Sequence, residues 1–180
     1  MKATSTSLKD CTIIDPEIFK DKRGFFLETF QIEKYVDIIG VSTSFVQDNH
    51  SRSTIGTLRG LHFQDLKPQG KLVRVMRGSV FDVAVDLRAN SPTFGMWEGF
   101  DLNEDNMRQL WIPPGFAHGF LATSEIVDFE YKCTDYYDPD DERCIHWNDP
   151  YLDIAWPVNI KFEVSEKDKN GSSFDSLFQQ

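Results

Sequence analysis

A chain of 180 residues is of a size for one domain, 1–180, and its 15 Phe and 4 Trp within a 40% hydrophobic content supply a sizeable core, which excludes a disordered polypeptide. A formal net charge of −10 and a pI near 4.8 exclude the basic face that a nucleic-acid or acidic-membrane binder needs, so an anionic ligand has to find a local cationic pocket. The opening segment from Met1 to Asp10 is polar, and no apolar run approaches the roughly 18 residues of a membrane span, so a cytoplasmic protein without a membrane partner is expected. Cys11, Cys133 and Cys144 are odd in number and form no C-x-x-C pair; reduced, mostly buried thiols follow rather than a disulfide framework or a zinc knuckle.

Taken in chain order, short alternating runs separated by Gly, Pro, Asn and Asp predict strands over 13–15, 24–29, 44–50, 60–64, 71–77, 80–88, 97–102, 108–112, 119–122 and 127–133. Within 80–88, Phe81, Val83, Val85 and Leu87 share one face and Asp82, Ala84, Asp86 and Arg88 the other, the period of a half-buried strand. Val127, Phe129, Tyr131 and Cys133 alternate in the same way against Asp128, Glu130 and Lys132. Turns are expected at Arg77-Gly78 and Pro113-Pro114-Gly115. A single helix interrupts the strands, with Ile32, Tyr35, Val36 and Ile39 on one face and Gly40 as its stop. So many strands without a repeat or linker predict an all-β jelly roll or closed barrel with few, short helices, since closure protects strand edges.

Four His are available: His50, His62, His118 and His146. The Pro113-Pro114-Gly115 turn leading to His118 gives the P-x-G-x-x-H form of the second motif of cupin barrels, where the His usually ligates a metal. The partner motif departs from that pattern. His62 is followed by Gln64 rather than a second His, and Lys71 stands seven residues before Gly78, where the metal-binding Glu would sit. An ammonium repels a divalent cation, so a metal-free site is expected, and Lys71 becomes a candidate for stabilising an oxyanion. Arg23, Arg59 and Arg74 could hold a diphosphate with Lys71, since guanidinium forks match phosphate oxygens, although surface ion pairing explains each of them equally well. Asp168 closes a Ser165-x-x-Asp168 pattern that also reads as a helix capping box, and Tyr131 also reads as a core tyrosine.

Several long stretches together resemble the dTDP-4-dehydrorhamnose 3,5-epimerase family: 21–26, 45–51, 58–64 (Leu-Arg-Gly-Leu-His-Phe-Gln), 69–74, 80–88, 91–95, 108–120 and 147–150. The likeness runs from about residue 13 to 168, and 170–180 shows little of it. It implies a cupin-type double-stranded β-helix that inverts C3 and C5 of a dTDP-4-keto-6-deoxy sugar to give dTDP-4-keto-rhamnose, without metal or redox cofactor. Protons on those carbons lie beside the sugar's own ketone, so their removal gives an enolate, and a base and an acid on opposite faces suffice.

By resemblance His62 is the base, oriented by Asp168, Tyr131 is the acid, and Lys71 faces the enolate oxygen. The resemblance also places Arg23, Glu28, Gln47, Asp48, Asn49, Arg59, His118, Glu142 and Lys167 in substrate contacts, with Glu28 and 47–49 toward the thymine and deoxyribose. It further implies a homodimer that exchanges N-terminal strands, so that Arg23 and Glu28 serve the partner's site. Enzymes that invert only one of the two centres, a silent nucleotide-sugar-binding barrel and a metal-dependent cupin remain alternatives to this reading.

Overall fold

The protein is described by a computed structural model covering residues 1–39, 44–157 and 159–178. In chain order the elements are β1 (Lys2–Ser5), β2 (Thr12–Asp15), β3 (Ile18–Asp21), β4 (Gly24–Leu27), α1 (Ile32–Ile39), β5 (Gln47–Thr54), β6 (Thr57–Gln64), β7 (Lys71–Arg77), β8 (Ser79–Asp86), β9 (Trp97–Asn103), β10 (Gln109–Ile112), β11 (Phe116–Ala122), β12 (Ile126–Cys133), β13 (Glu142–Cys144), β14 (Glu163–Val164), α2 (Glu166–Lys169) and α3 (Phe174–Phe178). Each strand expected from alternation is present, 71–77 with its expected bounds and the others with shifted ends. Alternation missed β1, β3, β13 and β14, which are two to four residues long and too short to show a period. Gly40, the expected helix stop, lies outside the described residues.

Two sheets face each other in the jelly roll. One runs β1-β2-β10-β7-β12-β5; the other runs β13-β6-β11-β8-β9, with β14 beside β6, and β3-β4 forms a separate hairpin. Residues from both sheets meet inside, where Val73, Val75, Leu110, Val127 and Phe129 of the first pack against Val80, Ala84, Phe100 and Phe120 of the second. The outer face of the second sheet is also covered. Leu58, Leu61, Val83, Val85 and Leu121 pack there against Ile145, Leu152, Trp156 and Phe174 from the C-terminal third.

This second layer changes the meaning of the 80–88 pattern. The strand is not half-exposed: its apolar face lies under the C-terminal segment, and its polar face, with Asp82 and Asp86 both 0% exposed, is buried as well. A five-residue helix such as α3 has no stability alone. It is fixed by Phe174, whose complete burial contributes roughly 1.5–3 kcal/mol. On the other sheet α1 lays Tyr35 and Ile39 over Ile14, Leu72 and Trp111. Ile32, expected on that face, is largely exposed.

Candidate active site

Between the sheets lies a cavity of about 360 Å³, lined by Gln47, Asn49, Ser51, Arg59, His62, Phe63, Gln64, Gln69, Lys71, His118, Gly119, Phe120, Phe129, Tyr131, Tyr137 and Glu142. Strand alternation explains most of the lining. On β5 the period of two aims Gln47, Asn49 and Ser51 inward, and on β12 it aims Phe129 and Tyr131 inward. On β6 it is broken. Arg59 and His62 are three residues apart, a spacing that puts side chains on opposite faces of a regular strand, yet both line the cavity.

The break sits at Gly60, with φ of +113°, opposite a register shift between His118 and Phe120 of β11. A Cβ on Gly60 would come within 2.6 Å of the Gly119 Cα, and one on Gly119 within 2.6 Å of the Arg59 carbonyl oxygen. Two glycines therefore let the strands touch where they must deliver Arg59, His62 and His118 to one side.

His62 Nε2 lies 2.6 Å from Asp168 Oδ1, and the Gly60 amide donates to the other carboxylate oxygen at 3.3 Å. The capping pattern at Ser165 serves the same end. Ser165 Oγ accepts from the Asp168 amide at 3.1 Å, starting α2, and thereby turns the Asp168 side chain toward β6. Ser165 thus caps α2 through the Asp168 amide, while the Asp168 carboxylate, which a capping box would return to the Ser165 amide, is bonded to His62 and Gly60 instead. Burial works against its ionisation, but the His62 and Gly60 hydrogen bonds outweigh it and the carboxyl stays below its usual range.

A second pair adjoins the first. His118, the cross-strand partner of His62, has Nε2 at 2.9 and 3.1 Å from the two oxygens of Asp82, and its ring stacks on Phe129. The other two His lie elsewhere: His50 pairs with Asp128 on the outer face, and His146 stacks on Trp147.

Opposite β6, the first sheet contributes Lys71 and Tyr131. Lys71 is 8% exposed, and its Nζ reaches across to the His62 carbonyl oxygen at 3.5 Å. Burial pushes its ammonium below the ordinary lysine range, while Cys133, Glu142 and Asp82 pull the other way. Burial, reinforced by Cys133 and Glu142, pushes the Tyr131 phenol up to about 12, so it keeps its proton throughout the neutral range. At the mouth Glu142 accepts from Tyr137 Oη at 2.6 Å and is bonded to Lys167. Burial raises Glu142, but those two bonds dominate and hold it ionised below its usual range.

These residues do not compose a cupin metal set. The Lys71 ammonium occupies the neighbourhood where a carboxylate ligand would stand, and the Gln64 amide is engaged with Lys67, Tyr136 and Asp138. Among the described residues His62, Cys144 and Asp168 offer ligand atoms within 4.8 Å of one another, but burial, with Asp168 adding to it, pushes the Cys144 thiol up to about 12. That favours a protonated thiol over a metal-binding thiolate.

Of the residues singled out from sequence, Gln47, Asn49, Arg59, His62, Lys71, His118, Tyr131 and Glu142 line the cavity, with Asp168 directly behind His62 and Lys167 behind Glu142. Asp48 does not join Gln47 and Asn49; it turns to the opposite face of β5 and pairs with Lys132 at 2.9 Å. Arg74 likewise faces outward, bonded to Glu130. Arg23 lies at the tip of the β3-β4 hairpin on Asp21, and Glu28 pairs with Lys34, both apart from this cavity. Sequence reasoning passed over Ser51, Asp82 and Tyr137. Extending the β5 alternation by one step would have found Ser51, and the Asp82–Asp86 face should have been read as interior. Tyr137 sits in a loop, where no period points to it.

Comparisons with known proteins bear on the same chemistry. A family model described as dTDP-4-dehydrorhamnose 3,5-epimerase matches residues 5–176. The dTDP-4-dehydrorhamnose 3,5-epimerase of Pseudomonas aeruginosa is 53% identical over 174 residues, covering 97% of this chain and 96% of its own length. That of Salmonella typhimurium is 51% identical over 169 residues, covering 93% and 92%. Among solved structures, the dTDP-6-deoxy-D-glucose-3,5-epimerase of Legionella pneumophila in complex with dTDP-4-keto-L-rhamnose aligns with a TM-score of 0.94 at 49% identity, covering 98% of this chain and 96% of that one.

Proposed function

The chain belongs to the dTDP-4-dehydrorhamnose 3,5-epimerase family, and we propose that His62, Tyr131, Lys71 and Asp168 carry that family's reaction in the cavity between the sheets. The protein is an isomerase of dTDP-rhamnose biosynthesis that converts dTDP-4-dehydro-6-deoxy-D-glucose to dTDP-4-dehydro-L-rhamnose. One observation carries the residue assignment: a carboxylate-backed imidazole on one sheet and a protonated phenol on the other line the same cavity.

In each half of the reaction His62 takes the proton from the carbon beside the ketone, and the C–H electron pair moves into the C4 carbonyl to give an enolate. The Asp168 carboxylate stabilises the imidazolium, and the Lys71 ammonium faces the enolate oxygen. Tyr131 returns a proton from the opposite face, which inverts the centre. The same steps serve C3 and C5, because both flank C4, once the His62 imidazolium has released its proton to solvent and the Tyr131 phenolate has taken one up between the two halves. Arg59 and His118 hold the diphosphate or sugar, and Gln47, Asn49 and Glu142 with Lys167 contact the remainder of the substrate.

Incubation with the keto sugar in deuterated water tests this. Solvent label at C3 and C5, lost in His62→Ala, is expected, and Tyr131→Phe should keep the exchange while slowing inversion. Unaltered turnover in Tyr131→Phe removes it from the mechanism.

The working unit is a homodimer in the cytoplasm. The β3-β4 hairpin pairs with neither main sheet and exposes Phe19, Phe25 and Phe26 by 55%, 58% and 68%, an apolar surface suited to a partner. Exchange of this hairpin and the residue that follows it brings Arg23 and Glu28 to the partner's nucleotide end. Light scattering coupled to gel filtration checks the dimer, and a monomer at micromolar concentration overturns it.

A further inference from the structure

We propose that Gln64 is a positioning residue for substrate binding: its amide clamps the loop on either side of Tyr137 and so fixes that ring in the cavity wall. The identity of the ligand here rests on the epimerase reading; the clamp itself rests on geometry. Gln64 ends β6 and is 5% exposed. Its Nε2 donates to the carbonyl oxygens of Lys67 at 2.8 Å and Tyr136 at 3.2 Å, and its Oε1 accepts from the Asp138 amide at 2.9 Å. Both amide hydrogens are therefore spent on protein carbonyls, which leaves none to donate to a ligand.

The two residues gripped on the far side, Tyr136 and Asp138, flank Tyr137. Tyr137 is held at two further points, its backbone amide donating to Gln47 Oε1 at 2.9 Å and its hydroxyl to Glu142 at 2.6 Å, while the residue stays 49% exposed and lines the cavity. The segment 134–141 joins β12 to β13 outside either sheet, so side-chain hooks supply much of its order. Asp141 is a second hook, its carboxylate accepting from the amides of Asp65, Leu66 and Lys67. The position that would hold a metal-binding imidazole in other cupins is thus given over to fastening two loops. Release of the Gln64 end frees the backbone on both sides of Tyr137, and the loss should fall on binding more than on proton transfer.

Gln64→Glu keeps the size but points carboxylate oxygens at two carbonyls, and Gln64→Met removes the polar grip without adding charge. We expect either to raise the Kd for dTDP, measured by calorimetry, and the KM for the keto sugar by about tenfold, with kcat held within about twofold. In a Tyr137→Ala background the Gln64 substitutions should add less than about twofold, the non-additivity of two residues acting through one ring. Amide exchange should quicken in 134–141 and stay unchanged in β7, β8 and β11. If Gln64→Glu does not fold, Gln64→Met carries the same comparison. Unchanged Kd, fully multiplying effects in the double variant, or unchanged exchange in 134–141 each overturn the clamp. Failure of the native protein to bind dTDP counts against the epimerase reading alone, and amide exchange then still decides the clamp.

Discussion

The site holds two His–Asp pairs, and their difference is more instructive than their likeness. His62 and His118 are cross-strand partners, and each presents Nε2 to a buried carboxylate at 2.6 and 2.9 Å. The His62 side chain is 28% exposed and the His118 side chain 8%. Asp82 stands on β8, locked in the ladder beside β11, whereas Asp168 is brought from α2, 106 residues beyond His62. Pairing with a carboxylate therefore does not by itself nominate a base. Access from the cavity does, and of these two rings only His62 is both backed and open.

The largest expected effect separates the two rings. His62→Ala should lower turnover by at least about a thousandfold and abolish exchange at both carbons, while His118→Ala should cost about tenfold, chiefly in KM. Equal losses of exchange in the two variants would make the pairs functionally equivalent and break the distinction. The carboxylates should follow their rings with smaller effects. Asp168→Asn preserves an acceptor for the Gly60 amide but cannot stabilise an imidazolium, so a loss of about a hundredfold in kcat is expected. Asp82→Asn should cost less than about tenfold, because in the proposed mechanism its partner takes no proton.

How far the sequence disclosed this arrangement depended on the kind of signal each residue left. The strands over 71–77, 80–88 and 127–133 were legible because a period of two survives in seven or eight residues, but that alternation made Tyr131 a core tyrosine, and only the resemblance marked it as the acid. The burial of the Asp82 face was not, because a period tells two faces apart without saying what covers either. Arg59 and His62 on one face contradict the period, and Gly60 between them signals a break without stating its geometry. Asp168 was nominated by resemblance alone. Its meeting with His62 is a tertiary contact, and locally it shows only a helix cap.

Lys71 and Tyr131 offer a further way to separate the pairs, through pH. Burial lowers Lys71 from its reference value of 10.5 and raises Tyr131 to about 12. As pH rises, the ammonium is thus lost first, and an alkaline fall in kcat/KM is expected to follow Lys71, below the ordinary lysine range, while Tyr131 still carries its proton. The Asp82 charge favours the ammonium, so Asp82→Asn should move that fall to lower pH, and Asp168→Asn should leave its midpoint in place. A midpoint that moves in Asp168→Asn and not in Asp82→Asn would mean that the Lys71 ammonium responds to the carboxylate behind His62 rather than to Asp82.

The smallest effect concerns the one thiol beside the open pair. Cys144 Sγ is 4.0 Å from Asp168 Oδ1, a contact too long to fix the carboxylate, which already has His62 and Gly60 as donors. Cys144→Ala should therefore change kcat by less than about threefold, and Cys144→Ser, which offers a stronger donor to Asp168, should act no more strongly. With its pKa pushed up to about 12 by burial, the thiol stays protonated at pH 8. Iodoacetamide at that pH should leave Cys144 unmodified in folded protein over the time in which unfolded protein reacts fully. Rapid labelling with loss of activity would instead mean that the open pair contains a reactive third member, and that the two His–Asp pairs differ in chemistry as well as in access.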